Sequence, residues 1–259
     1  MKSQRQHSIS GGFTIVEMMV SLVIVGVLVL ITLTALHRAK EQAIRTSSAN
    51  NLRILGVAVA DYLGEHNSRF FPYRSNSQKG GVQWWFGREP KGSGGEGSRD
   101  IHTDEGPLGK YIKAAGGVDL CPGMGKYMDL RKAKFKGASF GYGYNVHIGG
   151  GWSGRGPRLN LAKTKFGSGE IAVFATCAQV NTFQGAATPE NPMVEEFYGF
   201  DKSDKTIHFR FNRKALVLFA NGSVQMVDPE EGTMDDTLES ADVGRFSPVG
   251  STKWLGIVR

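Results

Sequence analysis

Residues 11–36 decide the fold of this chain. They open as Gly11-Gly12-Phe13-Thr14-Ile15-Val16-Glu17 and continue as an apolar run to Leu36. A short leader carrying Lys2 and Arg5 precedes them. From Met18 to Leu36 the chain runs for 19 residues without a charged side chain, close to the roughly 20 residues that a helix needs to cross a bilayer. The sequence therefore predicts a transmembrane helix over about 15–36.

The carboxylate of Glu17 is the exception inside this apolar stretch. A charged side chain is costly near the hydrocarbon core, and such residues usually have a function and a partner. Three simpler interpretations compete. A cleaved secretory signal has a shorter apolar core followed by a small-residue cleavage site, and no clear site of that kind follows here. A plain membrane anchor fits the length but leaves Gly12 and Glu17 unexplained, and the basic leader and uninterrupted run disfavour a buried core helix.

The segment Gly12-Phe13-Thr14-Ile15-Val16-Glu17 resembles the prepilin cleavage and methylation motif of type IV pilins and type II secretion pseudopilins. The resemblance implies cleavage by prepilin peptidase after Gly12 and methylation of the new amino terminus at Phe13. It also implies that Glu17 aids assembly by facing the terminal amine of a neighbouring subunit. Residues four apart share a helix face, so pairing within one subunit is an open alternative.

The family resemblance sets the expected function and location. The chain would be a structural filament subunit rather than an enzyme. Its partners would be itself, other pilin-like subunits, prepilin peptidase and an inner-membrane assembly platform. It would cross the inner membrane once with its head in the periplasm. The alternatives are a membrane-tethered periplasmic binding protein or enzyme, and a minor pilin for DNA uptake.

The pattern beyond Leu36 predicts an α+β fold. A cleaved leader would cover residues 1–12, a long helix 13–65 and a β-rich head 66–259. After the apolar run, apolar residues recur at helical spacing, and Gly64 and Asn67 are stop signals. This amphipathic half is expected to pack on an antiparallel sheet. Its apolar residues are Ala39, Ala43, Leu52, Leu55, Val59, Tyr62 and Leu63.

Several strands are predicted in the head from alternation and turn signals. They are 139–148, 171–177, the alternating residues 207–211, a hairpin of 215–220 and 223–227 around Asn221-Gly222, and 253–258. A short helix is expected after Pro107, with Leu108, Tyr111 and Ile112 facing inward. The head also has local resemblance to pilin-like proteins known from planctomycetes. The matching segments are Leu120-Cys121-Pro122, Gly143-Tyr144-Asn145 and 218–224, although Asn221 and Ser223 replace the usual aspartate and histidine.

Composition gives few signs of chemistry. The chain has 259 residues and a formal net charge of +7. Its two cysteines, Cys121 and Cys177, form no C-x-x-C motif; in an oxidising periplasm they could be bridged, and two buried free thiols are the alternative. No catalytic or metal-ligand spacing is present, so no cofactor is expected. His147 and His208 fall on the polar sides of predicted strands and are expected to be exposed.

Three local clusters each have two interpretations. The basic cluster 131–136 is either a solvated turn or a contact for nucleic acid or anionic lipid, and nucleic-acid binding is not the main expectation. Trp84-Trp85-Phe86 either fills the core or forms a binding platform. The acidic segment 228–242 is a solvated loop or, by analogy with major pseudopilins, a calcium site.

Overall fold

The computed structural model describes residues 14–95, 97–136, 141–180 and 187–245. Helix α1 spans Ile15–Glu65, which confirms the predicted long N-terminal helix. The chain divides into two compact units, Met1–Ala43 and Ile44–Arg259, so that α1 contributes to both. We call the second the globular unit.

In the first unit, α1 exposes its large apolar side chains along the whole predicted span. Ile15 is 79% exposed, Leu22 69% and Leu36 66%. Among the described residues, α1 is the helix long and apolar enough to cross a membrane by length and composition.

In the globular unit, α1 buries one stripe of side chains at three- and four-residue spacing. The stripe begins later than predicted, because Ala39 and Ala43 are exposed. The helix ends at Glu65, and Asn67 adopts a left-handed φ of 54° just beyond it, as the predicted stop signal requires. The buried members of the stripe are Ser48, Ala49, Leu52, Leu55, Ala58, Val59, Tyr62 and Leu63.

The rest of the globular unit is rich in short strands. In chain order they are β1 (Arg74–Asn76), β2 (Val82–Trp84), β3 (Gly87–Glu89), β4 (Arg131–Lys132), β5 (Tyr142–Asn145), β6 (Ala172–Thr176), β7 (Gln179–Val180), β8 (Val194–Glu195), β9 (Gly199–Phe200), β10 (Ile207–His208), β11 (Ala215–Phe219), β12 (Val224–Val227) and β13 (Val243–Gly244). The helical pieces are α2 (Gly109–Ala114) and 3-10 turns at Thr103–Glu105, Pro122–Tyr127, Ser168–Glu170 and Glu239–Ala241. As predicted, Leu108, Tyr111 and Ile112 are buried.

A five-stranded sheet organises the core. Its order is β12-β11-β6-β5-β9, and its pairs are antiparallel except β5–β9, which is parallel. Three smaller sheets accompany it: β1-β2-β3, β4-β8-β7, in which β4–β8 is parallel, and β10-β13. The fold is therefore α+β as predicted, with mostly antiparallel but partly mixed sheets.

Both faces of the central sheet are buried. On one face, the hydroxyl of Tyr142 donates to the Ser48 carbonyl of α1 at 2.9 Å. Gly56 allows α1 to lie close to β11 there, because a Cβ at this position would lie 3.1 Å from Cδ1 of Leu218. On the other face, Val217 and Phe219 join a second apolar cluster that includes Phe200 and Phe209. Burial on both sides explains why β11 is an uninterrupted apolar run and why β6 is apolar up to Thr176, whose buried hydroxyl donates to the His208 carbonyl at 3.0 Å.

The predicted hairpin is present as β11–β12, but its turn differs from the expectation. Phe219 pairs with Ser223 through an N–H to carbonyl bond of 2.9 Å, which leaves a three-residue loop. Gly222 alone in this loop has a positive φ, of 82°, whereas a two-residue type I′ turn needs two such residues. Glycine therefore supplies the left-handed position of a longer turn.

Other strand predictions were partly correct. The described part of the predicted strand 139–148 contains β5 with all four residues buried, so its polar alternation marks a second buried face rather than solvent. Residues 139 and 140 and the predicted strand 253–258 lie outside the described residues. The prediction for His208 was wrong: its side chain is fully buried beneath the ring of Tyr127, at 4.3 Å between centroids. His147 is half-buried rather than exposed.

Candidate assembly site on the N-terminal helix

Of the three predicted motif residues, the structure places Glu17 in the first turn of α1. Gly12 and Phe13 lie outside the described residues. Their predicted roles in cleavage and methylation therefore stay predictions.

Thr14 and Glu17 are joined by three hydrogen bonds at the start of the helix, two accepted by the Glu17 side chain and one donated by the Glu17 backbone. The Glu17 carboxylate accepts from the Thr14 backbone N–H at 2.9 Å and from the Thr14 hydroxyl at 2.8 Å. In return, the Glu17 backbone N–H donates to the Thr14 hydroxyl oxygen at 3.2 Å. This is a capping box, which satisfies backbone donors that a helix start otherwise leaves unpaired.

Thr14 is therefore a site residue that the sequence analysis missed. The signal for it is present, since a threonine followed three residues later by a glutamate before an apolar run is a helix-start pattern. The pairing also changes the interpretation of Glu17. Its carboxylate has donors within its own chain, at the N-terminal end of the apolar run.

The remaining polar side chains of the apolar stretch are satisfied within the helix. The hydroxyl of Ser21 donates to the Glu17 carbonyl at 2.7 Å, and that of Thr34 donates to the Ile31 carbonyl at 2.9 Å. Thr32 donates in the same way to the Leu28 carbonyl. Hydroxyls that bond to their own helix can enter hydrocarbon without leaving a donor unpaired. The surface that α1 offers to lipid or to another helix is consequently almost wholly apolar.

The two cysteines are free thiols in the structure, which is the second of the two alternatives predicted. Both are buried. The Cys121 thiol donates to the Ser48 hydroxyl on α1 at 3.4 Å. Burial raises the pKa of the Cys177 thiol well above its ordinary value.

The basic cluster 131–136 is neither a solvated turn nor an open positive patch. Arg131 forms an ion pair with the buried Glu196, and Lys134 pairs with the buried Glu195 at 3.4 Å. Lys136 lies 3.9 Å from Asp100. Neutralisation by these acids removes the feature that suggested nucleic-acid binding at this cluster.

The other two clusters are also accounted for. Trp85 and Phe86 are buried and Trp84 is half-buried, so the aromatic trio fills the core rather than forming a platform. In the acidic segment, Asp228, Glu230 and Asp236 form ion pairs with basic side chains. Among the described residues, no group of three or more His, Cys, Asp or Glu side chains is arranged to hold a metal ion.

Comparison with known families finds a match at the N-terminus. Residues 8–33 match the prokaryotic N-terminal methylation motif. Comparisons with curated proteins and with solved structures give no match. The matched residues contain Gly12, Phe13, Thr14 and Glu17, together with most of the exposed apolar surface of α1.

The motif and the helix thus indicate the same kind of N-terminus. The motif indicates a prepilin-processed chain, and the exposed apolar helix suggests membrane anchoring. The globular unit that follows has the α+β character of pilin-like folds. Together, the methylation motif at residues 8–33 and the long apolar helix that continues it give the chain an N-terminus of the type IV pilin and pseudopilin type.

Proposed function

We propose that this chain is a structural subunit of a type IV pilus-like filament or a type II secretion pseudopilus. It is cut by prepilin peptidase between Gly12 and Phe13, methylated at Phe13, and assembled through α1. The observation that carries this proposal is the coincidence of the methylation motif with an apolar helix whose side chains are exposed along the motif and beyond. Such a surface needs lipid before assembly and neighbouring helices afterwards.

The proposed mechanism depends on the polar groups of Glu17 and Thr14. Cleavage after Gly12 creates an amine at Phe13, directly before the Thr14 N–H that already donates to Glu17. In a low-dielectric sheath, an amine and a carboxylate are each costly alone, and pairing relieves both. We propose that the capping box holds Glu17 while the subunit waits in the membrane, and that the carboxylate then pairs with the terminal amine of a neighbouring subunit.

The proposed location follows from the same helix. The chain crosses the inner membrane once with residues of about 15–36, and the globular unit lies in the periplasm. Its partners are prepilin peptidase, the inner-membrane assembly platform, and other pilin-like subunits including copies of itself. We propose that a cytoplasmic ATPase, acting through the assembly platform, supplies the energy for extraction from lipid.

The experiment that tests this proposal separates assembly from anchoring. Cells with and without the assembly ATPase are sheared, and the chain is quantified in the sheared and membrane fractions. We expect the chain in sheared filaments only when the ATPase is present, with comparable membrane levels in both strains. A chain that stays in the membrane fraction of both strains would favour the tethered periplasmic protein.

A further inference from the structure

Two segments far apart in sequence form one surface of the globular unit. Residues 66–76 follow α1, and residues 149–163 run beside them in the opposite direction. The Phe70 N–H donates to the Leu159 carbonyl at 3.0 Å, and the Leu161 N–H donates to the Ser68 carbonyl at 2.7 Å. Further along, the Tyr73 N–H donates to the Gly149 carbonyl at 3.0 Å. Backbone bonds therefore fix the positions of the side chains that both segments carry.

Two clefts open along this surface, and basic residues line both. The first has a volume of about 660 Å³, and its cationic lining residues are Arg69, Arg158 and Lys163. The second has a volume of about 300 Å³ and is lined by Arg74 and Arg155. Amide and hydroxyl side chains lie among these cations: Asn67 and Asn160 in the first cleft, and Ser75, Asn76 and Ser153 in the second.

The cations of the clefts differ from those of the cluster 131–136 in forming no ion pair with the described acidic residues. None of the described acidic side chains forms an ion pair with any of the five basic lining residues. The acid in the first cleft, Glu65, is already bound by the ammonium of Lys110 at 2.8 Å and by the Tyr111 hydroxyl at 2.6 Å. The clefts therefore carry uncompensated positive charge, in a chain whose net charge is +7.

Two of the arginines are held in place. A guanidinium nitrogen of Arg158 donates to the Phe70 carbonyl at 3.3 Å, and the guanidinium of Arg74 lies 5.8 Å from the ring centroid of Trp84. A side chain that is already oriented loses less conformational entropy when it binds a ligand. Its fork of N–H donors also matches the two oxygens of a carboxylate or sulfate.

We propose that these clefts bind an acidic polysaccharide, with its carboxylate or sulfate groups on the arginines and its hydroxyls on the neighbouring amides and serines. The volumes accommodate sugar residues, and the mixture of cations with neutral hydrogen-bonding groups suits a charged chain rich in hydroxyls. A single-stranded nucleic acid fits less well. Among the described residues, no phenylalanine, tyrosine or tryptophan is exposed to stack on a base, which is the usual source of affinity for single strands.

The test measures binding by the full chain, kept monomeric in a nonionic detergent, to fluorescent polygalacturonate, neutral dextran and a single-stranded DNA. The variant carries Arg69→Gln, Arg74→Gln, Arg155→Gln and Lys163→Gln. A matched control removes the same charge at exposed lysines outside the clefts: Lys91→Gln, Lys113→Gln, Lys126→Gln and Lys202→Gln. Arg155→Gln alone is included because the Arg155 side chain is exposed, so that its replacement is expected to leave the fold intact.

We expect polygalacturonate to bind and dextran not to bind. The four cleft substitutions should weaken binding by about tenfold or more, and the control set by less than about twofold. Arg155→Gln should give a smaller loss in the same direction. Equal weakening by both sets, absence of polygalacturonate binding, or tighter binding of the single-stranded DNA at equal salt would overturn the proposal. Because the measurement uses monomers, its outcome is independent of whether the chain forms filaments.

Discussion

The carboxylate of Glu17 and the hydroxyl of Thr14 lie 2.8 Å apart at the start of α1. The same carboxylate accepts the Thr14 backbone N–H, so that both polar groups are paired before any neighbouring subunit arrives. This pairing shows how a membrane-anchored chain can hold an acidic side chain at the edge of an apolar segment. It also joins that side chain to Thr14, the residue directly after Phe13, where cleavage after Gly12 would create the new amine.

The first prediction concerns Glu17→Ala. We expect membrane levels to stay equal or rise, because a costly charge is removed from the apolar segment. Sheared-filament levels should fall at least severalfold, since the amine of Phe13 then lacks a counter-charge in a dry environment. Immunoblots of the membrane fraction and of the sheared filaments measure the two levels.

The matched control for Glu17 is Ser21→Ala. This change also removes a polar group from the same face one turn later, where the Ser21 hydroxyl donates to the Glu17 carbonyl. Its filament yield should match that of the parent. Equal yields from Glu17→Ala and the parent would make Glu17 a bystander and would favour the tethered protein.

The second prediction tests whether α1 completes the core of the globular unit. Leu52 is fully buried, and Val57 is 53% exposed on the same helix. Leu52→Ala should lower the free energy of unfolding by about 2–5 kcal/mol, because it removes contacts and leaves a cavity. Val57→Ala should change it by about 0.5 kcal/mol or less. Denaturant unfolding of the full chain in micelles gives both values, and similar values for the two variants would show that the helix stripe is not part of the core.

The third prediction concerns the thiols. With both cysteines buried and the pKa of Cys177 raised by burial, a thiol reagent at pH 8 should react with neither in the folded protein. After unfolding without a reductant, two thiols per chain should react. If no thiol reacts after unfolding, Cys121 and Cys177 are bridged in the protein isolated from its own compartment.

The fourth prediction is a pH dependence. Hydrogen bonds from Arg88 and from Lys79, the latter at 3.0 Å, lower the pKa of Glu105 to about 2. Its folded pKa is below its unfolded value, so the stabilisation is complete above about pH 4.5 and is lost as the pH falls towards 2. The melting temperatures of the parent and Glu105→Gln should therefore differ at pH 6 and converge as the pH falls. Glu231→Gln, at an exposed residue, serves as the control and should follow the parent throughout, whereas a constant difference for Glu105→Gln at all pH values would contradict the assigned ion pairs.

Much of the helix and sheet could be predicted because local sequence determines them. The stripe containing Leu52 and Leu55 has helical spacing, and Asn221-Gly222 marks the turn between two apolar runs. The turn has three residues because only Gly222 adopts a positive φ, a detail that depends on the pairing of Phe219 with Ser223. Sequence alone does not give that register.

The remaining features depend on contacts between distant residues. His208 was predicted to be exposed because alternation marks a polar side, and this side is covered by Tyr127, which is distant in the sequence. Sequence alone also does not show which charged side chains are neutralised by distant residues. The cluster around Arg131 is contiguous in sequence but neutralised by Glu195 and Glu196, whereas the basic clefts join Arg69 to Arg158 across 89 positions of the chain.

The proposed function depends on processing by prepilin peptidase, which intact and N-terminal mass spectrometry of the native protein measures. We expect a mature chain that begins at N-methylated Phe13 when prepilin peptidase is present and retains residues 1–12 when the peptidase is absent. Gly12→Ala should slow the cut, with the unprocessed form accumulating. A chain that keeps Met1 in the presence of the peptidase, or one cleaved beyond Leu36, would show that this chain is not a prepilin-processed subunit.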